Sequence, residues 1–134
     1  MLVAGGCGGK KNPPPVAEAQ PFADGFVQRL VVDGRWAAVQ DDVSPHLSLD
    51  MRQFQQKIRS DGIRRVAGPG TLRHDCPVVP AADAGKDCFV YRLRGKQIVP
   101  IVGVVRLNAD FRVWVSYEDG AWQVVNYDYT VIPS

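Results

Sequence analysis

Asp119-Gly120 stands between two runs of alternating character, FRVWVSY before it and AWQVVNYDYTVI after it, and no other feature limits the fold of this chain as strongly. A two-residue loop of this composition accepts positive φ at both central positions, which is the geometry whose twist matches a pair of antiparallel strands. The spacing predicts a hairpin in which residues 122–131 run back along residues 111–117. Centred on that turn, the ladder sets Tyr117 opposite Trp122, Val115 opposite Val124, Val113 opposite Asn126 and Phe111 opposite Asp128 on one face. Arg112, Trp114 and Ser116 then share the other face with Gln123, Val125, Tyr127 and Tyr129. Large apolar groups lie on both faces. One face covers a core, and the other lines a pocket, meets a partner or lies partly exposed.

Upstream the period is helical. Phe22, Phe26 and Leu30 recur every four residues, with Ala23 and Val27 beside them, predicting a helix over residues 16–32 that tolerates Pro21 near its start. Asp33-Gly34 interrupts it. Trp36, Val39 and Val43 predict a second, short helix over 35–43, ended by Ser44-Pro45. Leu47, Met51, Phe54 and Ile58 predict a third, capped by Ser48 or Asp50 and closed by Gly62 in the left-handed conformation. Helical spacing alone predicts burial of Met51 and Phe54, so they read as core and not as ligand contacts.

Beyond Gly62 the period changes to that of strands. A short strand is expected over 63–67, before Gly68-Pro69-Gly70, and another over 88–93 with Phe89, Tyr91 and Leu93 on one face. Arg94-Gly95-Lys96-Gln97 reads as a turn. Residues 98–107 read as the next strand, with Pro100 at a sheet margin and Gly103 at a bulge or bend, and Asn108-Ala109-Asp110 as the turn into the final hairpin.

The 134 residues, 46% of them hydrophobic, suit a single core. The expected class is α+β, with N-terminal helices packed into an antiparallel sheet over residues 21–134. Net charge is +2, from 16 Lys and Arg against 14 Asp and Glu, with no basic block and no aromatic residues interleaved with a basic stripe. That balance argues against a nucleic-acid partner. No stretch approaches the eighteen or so consecutive apolar residues of a spanning helix.

Residues 1–20 have a different character. Ala4, Gly5 and Gly6 directly before Cys7 resemble the bacterial lipobox, with Ala4 standing where lipoboxes usually carry leucine. That resemblance implies a truncated export signal, diacylglycerol on Cys7, and a tether to a bacterial membrane. The GGKKNPPP segment that follows is a flexible and then stiff spacer. Cys76 and Cys88 flank the segment CPVVPAADAGKDC; near a strand start they could be buried reduced thiols, and export makes a disulfide between them the expected state. Metal ligation is poorly supported, since His74 is the only nearby imidazole.

The order of elements resembles the nuclear-transport-factor-2-like superfamily, also called cystatin-like or SnoaL-like. The opening FADGFVQRLV, the Asp33-Gly34-Arg35-Trp36 junction and the terminal DGAWQVVNYDYTVI carry the likeness, over roughly residues 18–132. It implies a cone-like, strongly curved sheet wrapped around the helices. Such folds serve isomerases, dehydratases, small-molecule binders and interaction modules alike, so the fold cannot choose among them.

As an enzyme without cofactor or metal, an isomerase or dehydratase of small hydrophobic substrates, the chain would use Asp128 as the base. Asn126 and Tyr91 would then donate hydrogen bonds to developing oxyanion charge. His46, at a helix boundary, and His74, before Cys76, read as surface groups. No Ser-His-Asp arrangement, phosphate-cradling glycine loop or HExxH motif is present. The simpler expectation is a non-enzymatic, lipid-anchored envelope domain. Trp114, Trp122, Tyr127, Tyr129 and Arg112 would face a small apolar ligand, an envelope protein or a second copy.

Overall fold

The structure, a computed structural model, describes residues 16–47, 50–76 and 87–133. The lipobox-like segment with Cys7, the candidate cap Ser48 and the centre of the cysteine-flanked segment lie outside the described residues. Among the described residues three helices precede a five-stranded antiparallel sheet that does not close on itself, which establishes the α+β class.

Helix α1 runs Val16–Val27 and continues as a single π-helical stretch, Gln28–Val32. The expected helix over 16–32 therefore changes winding partway, which keeps Leu30 and Val31 buried together. The second helix is shorter than expected: α2 spans Trp36–Val39 and tightens into a 3-10 turn over Gln40–Asp42. Helix α3, Met51–Ser60, starts where Asp50 accepts hydrogen bonds from the backbone N–H groups of Arg52 and Gln53. That side chain satisfies two of the donors that a helix start leaves open. Met51, Phe54 and Ile58 form its buried stripe, as their spacing predicts.

The strands are β1 (Ile63–Val66), β2 (Thr71–Arg73), β3 (Cys88–Val99), β4 (Gly103–Glu118) and β5 (Ala121–Pro133). The order across the sheet is β1-β3-β4-β5, and β2 pairs with the start of β3. Two expected turns are corrected. Arg94 to Gln97 lie within β3, and Asn108 to Asp110 lie within β4. The chain reverses instead at Pro100-Ile101-Val102, so the expected strand over 98–107 is divided between two partners. Each misread tetrad or triad holds a Gly or Asn that local rules assign to turns, and long-range pairing overrides that preference.

The final hairpin turns at Asp119-Gly120, with φ of 54° and 83°. Tyr117 pairs with Trp122 and Val115 with Val124, as expected, but the register then shifts. Trp114 pairs with Asn126, Arg112 with Asp128, Val113 with Tyr127 and Phe111 with Tyr129. Val125 is the extra residue of a β-bulge, and past it every side chain changes face relative to the regular ladder.

One cluster of buried residues joins the two layers. It takes Ala23, Phe26, Leu30, Met51, Phe54 and Ile58 from the helices and Tyr91, Leu93, Phe111, Val113 and Val124 from the sheet. Phe54 is its aromatic hub, with ring centroids 5.4 Å from Phe111, 5.0 Å from Tyr127 and 5.6 Å from Tyr129. On the opposite face Trp114 is wholly buried, covered by Cys76 and Cys88 with Val90 and Val125 beside it. The two cysteines are bonded, with Cα atoms 6.2 Å apart, so the disulfide clamps the approach to β3 over an indole.

Strand β1 lies against β3 through two glycines. Gly62 has φ of +87°, and a Cβ there would collide with the carbonyl oxygen of Lys96, while one on Gly95 would collide with that of Gly62. Gly95→Ala should therefore lower the unfolding free energy by at least ~2 kcal/mol, as overpacking against backbone does. Urea unfolding of the variant checks this, and an unchanged midpoint would show that the seam can open without cost.

Candidate functional site

The outer face of the β1-β3-β4 seam collects positive charge. Arg92, Arg94 and Lys96 alternate along β3, and their partners across the ladders are Asp110, Asn108 and Arg106 on β4, with Arg65 of β1 opposite Arg94. Arg65, Arg92, Arg94, Lys96 and Arg106 line one cleft of about 400 Å³, with Asn108 at its wall. A second cleft of about 310 Å³ shares Arg65, Arg94 and Lys96 and adds Arg64.

Pairing within this group is uneven. Arg92 Nε donates to Asp110 Oδ1 at 2.7 Å, and Arg64 turns its guanidinium onto the carbonyl oxygens of Arg59 and Ile63 at 3.0 and 2.9 Å. Among the described residues, Arg65, Arg94 and Lys96 pair with no carboxylate. Arg65 and Arg94 thus face each other directly across the ladder, with Lys96 next along the same face of β3. Like charges so placed weaken a sheet. An anion seated between them would reverse the sign of that interaction, and the guanidinium fork suits phosphate or carboxylate oxygens.

The residues singled out from the sequence lie elsewhere. Asp128 is on the outer face, ion-paired with Arg112, because of the bulge at Val125. A fixed cation stands beside it in place of the apolar surround that proton abstraction would require. Asn126 is buried; its Oδ1 accepts from the N–H of Tyr127 at 2.9 Å, and its Nδ2 has no partner among the described residues. Tyr91 points into the core and donates to Asp24 Oδ1 at 2.7 Å, while the N–H of Gly70 donates to the same oxygen at 3.0 Å. Tyr91, Asn126 and Asp128 are therefore not brought to one site.

Among the aromatics expected on a binding surface, Trp114 is buried under the disulfide, and Trp122, Tyr127 and Tyr129 are half-buried against the core. Tyr129 donates to Asp61 Oδ2 at 2.8 Å and lies near Lys57. Tyr127 and Tyr129 reach the core face through the bulge, where a regular ladder would point them away from it. His46 is exposed at the backbone turn after Ser44, and His74 lies 3.1 Å from Asp87 at the surface. Among the described residues there is no cluster of His, Cys, Asp and Glu fit to hold a metal ion. No helix among them is long and apolar enough to cross a membrane.

The cationic stripe was readable in one respect. Arg92, Arg94 and Lys96 have period two within YRLRGKQ, which marks one face of a strand. Gly95 and the missing apolar alternation after Leu93 hid it, and the contribution of Arg65 depends on long-range pairing that local spacing does not encode.

Burial first, then the hydrogen bond to Asp24 and the charge of that carboxylate, hold the Tyr91 phenol well above the ordinary tyrosine range. Burial and Asp61 raise Tyr129 in the same direction. A raised folded-state value contributes stability that is complete below the unfolded pKa of about 10 and is lost as pH rises above it. Denaturant unfolding from pH 8 to 11, values that bracket that ordinary pKa of about 10, should show stability declining above about pH 10. In Tyr91→Phe the decline should be shallower, and stability at neutral pH lower by about 1–3 kcal/mol because the Asp24 carboxylate loses a donor. Equal slopes for the two proteins would rule this out. In comparisons with known proteins, no family model matches this chain, and neither a curated protein nor a solved structure matches it.

Proposed function

We propose that this is a non-enzymatic binding domain, exported and tethered to a bacterial membrane through Cys7, which holds an anionic group of its partner in the cleft between Arg65, Arg94 and Lys96. The observation that carries the reading is the facing of Arg65 on Arg94 across the ladder, with Lys96 beside them and no carboxylate of the described residues paired with any of the three. A sheet built only for stability would interleave acidic residues there, as Asp110 does for Arg92 and Asp128 for Arg112.

The notion of an apolar ligand held between the helices and the sheet receives less support, because Phe54, Phe111, Tyr127 and Tyr129 occupy that space themselves. Helices preceding a long antiparallel meander, all packed on one face, support an NTF2-like arrangement as the parent fold. The Cys76–Cys88 bond supports export, since such bonds persist in oxidising compartments. The tether rests on the small residues Ala4, Gly5 and Gly6 before Cys7.

Titration with glycerol 3-phosphate, followed by amide chemical shifts, should move Arg65, Arg94, Gly95 and Lys96 together. The response should weaken as salt rises, because exposed charges are screened. Arg94→Glu combined with Lys96→Glu should remove it while leaving the thermal midpoint nearly unchanged, both side chains being exposed. Shifts scattered over the molecule, or unchanged in the double variant, would defeat the cleft as the site. For the tether, mass spectrometry of the envelope protein expressed with its natural upstream coding region should find a diacylglyceryl group on Cys7. An unmodified Cys7 peptide would count against it.

A further inference from the structure

The β3–β4 hairpin extends past the cationic cleft and ends in QIVPIVGVV, where Val99 and Val105 are partly buried and the other four aliphatic side chains are exposed. Ile98 is 84% exposed, Ile101 106%, Val102 70% and Val104 63%, whereas other large hydrophobics exposed among the described residues reach only 36–38%. Ile98 and Val104 are cross-strand partners on one face, and Ile101 and Val102 form the tip. Apolar groups gathered at one projecting end are unlike the scattered exposed side chains that need no explanation.

The backbone of the tip adds an independent observation. Ile101 has φ of 74°, a region that a β-branched residue rarely enters. No contact on the protein repays that conformation, since the side chain is fully exposed. It aims an isoleucine outward from the narrowest point of the hairpin, and strain of this kind collects at binding elements.

We propose that this tip inserts into a bilayer containing anionic lipid, and that the anion taken by the cleft is a lipid headgroup. The proposal rests on the reading of the cleft given above. Lys96 is two residues behind Ile98 on the same face of the hairpin, with Arg94 and its cross-strand partner Arg65 next behind it. At ~3.3 Å per residue the step from Ile98 to Lys96 is roughly 7 Å along the strand. An apolar element buried roughly 5–10 Å into the headgroup and acyl boundary would leave those cations level with the phosphates. A second copy fits less well, because tip-to-tip docking would bring two collars of like charge together.

The test is flotation of the full 134-residue chain, with Cys7 unacylated, on vesicles of phosphatidylcholine alone or with phosphatidylglycerol partly replacing it. Binding is expected only when phosphatidylglycerol is present. Ile101→Asn should weaken it by about tenfold, the factor expected for withdrawing one aliphatic side chain from the apolar layer. It should also keep or raise the thermal midpoint, because asparagine tolerates positive φ better than isoleucine does. Loss of binding with retained stability cannot be put down to unfolding. Val102→Trp should show a blue-shifted indole emission on the same vesicles.

Equal binding to both vesicles, undiminished binding by Ile101→Asn, or an unshifted emission from Val102→Trp would each overturn the proposal. So would a dimer in sedimentation that Ile101→Asn dissolves, which would give the tip to a second copy. If glycerol 3-phosphate moves the cleft resonances but no vesicle binds, the bilayer inference fails and the cleft reading survives. If neither is seen, both fail.

Discussion

One additional residue in β5 decides how the two layers of this protein meet. With Val125 left out of the ladder, Tyr127 and Tyr129 come to the helix side and Asp128 goes to the solvent side. The helix side then has rings enough for Phe54 to pack against at three contacts, and Tyr129 can reach the C-terminal end of α3 through Asp61. A ladder without the bulge would bring Asp128 toward Phe54, where a carboxylate has no partner and desolvation would act against the fold. The bulge therefore sorts polar from apolar groups in a strand whose sequence alternation breaks at Val124-Val125.

The two faces of the sheet are consequently specialised. The helix side is filled with side chains and tied by phenol-to-carboxylate bonds, Tyr91 to Asp24 and Tyr129 to Asp61. Such bonds join a helical element to a strand and hold the layers in one relative position. The opposite side is divided along its length. Near the disulfide it is closed over Trp114; further along it carries ion pairs that neutralise one another; at the far end it carries Arg65, Arg94 and Lys96, which pair with no carboxylate of the described residues, and then exposed aliphatics.

How much of this could be read from the chain depends on how local the cause is. The Asp119-Gly120 turn, the α3 stripe with its Asp50 cap and the left-handed Gly62 follow from short spacings and side-chain chemistry, and all are present, as is the Cys76–Cys88 bond expected only on the supposition of export. The bulge could not be read, because FRVWV and VVNYDY are compatible with two registers and the choice depends on what packs beneath. The position of the β3–β4 turn was obscured for a related reason. Arg94-Gly95-Lys96-Gln97 has turn composition, but Gly95 is there to let the Gly62 backbone approach, a requirement set by a strand more than thirty residues earlier in the chain. The cationic cleft inherits both difficulties, since it appears only when Arg65, Arg94 and Arg106 from three strands are brought alongside.

The meander also bears on the order in which the molecule can assemble. Helix α1 and the π-helical stretch after it bury Ala23, Phe26, Leu30 and Val31 in a cluster whose sheet members include Phe111, Val113 and Val124. A ribosome or an export channel delivers those helical segments long before the strands that cover them. Until β4 and β5 arrive, the early segments have an apolar stripe and no surface to set it on, and short helices are marginal when isolated. The β4–β5 hairpin, by contrast, closes through a two-residue turn and can form as soon as it emerges, since local pairings carry little loop-closure cost. The last-made part of the sheet is thus the platform for the first-made helices, and the chain must stay open and unaggregated through most of its synthesis or transit, a condition that passage across a membrane in the unfolded state would also impose.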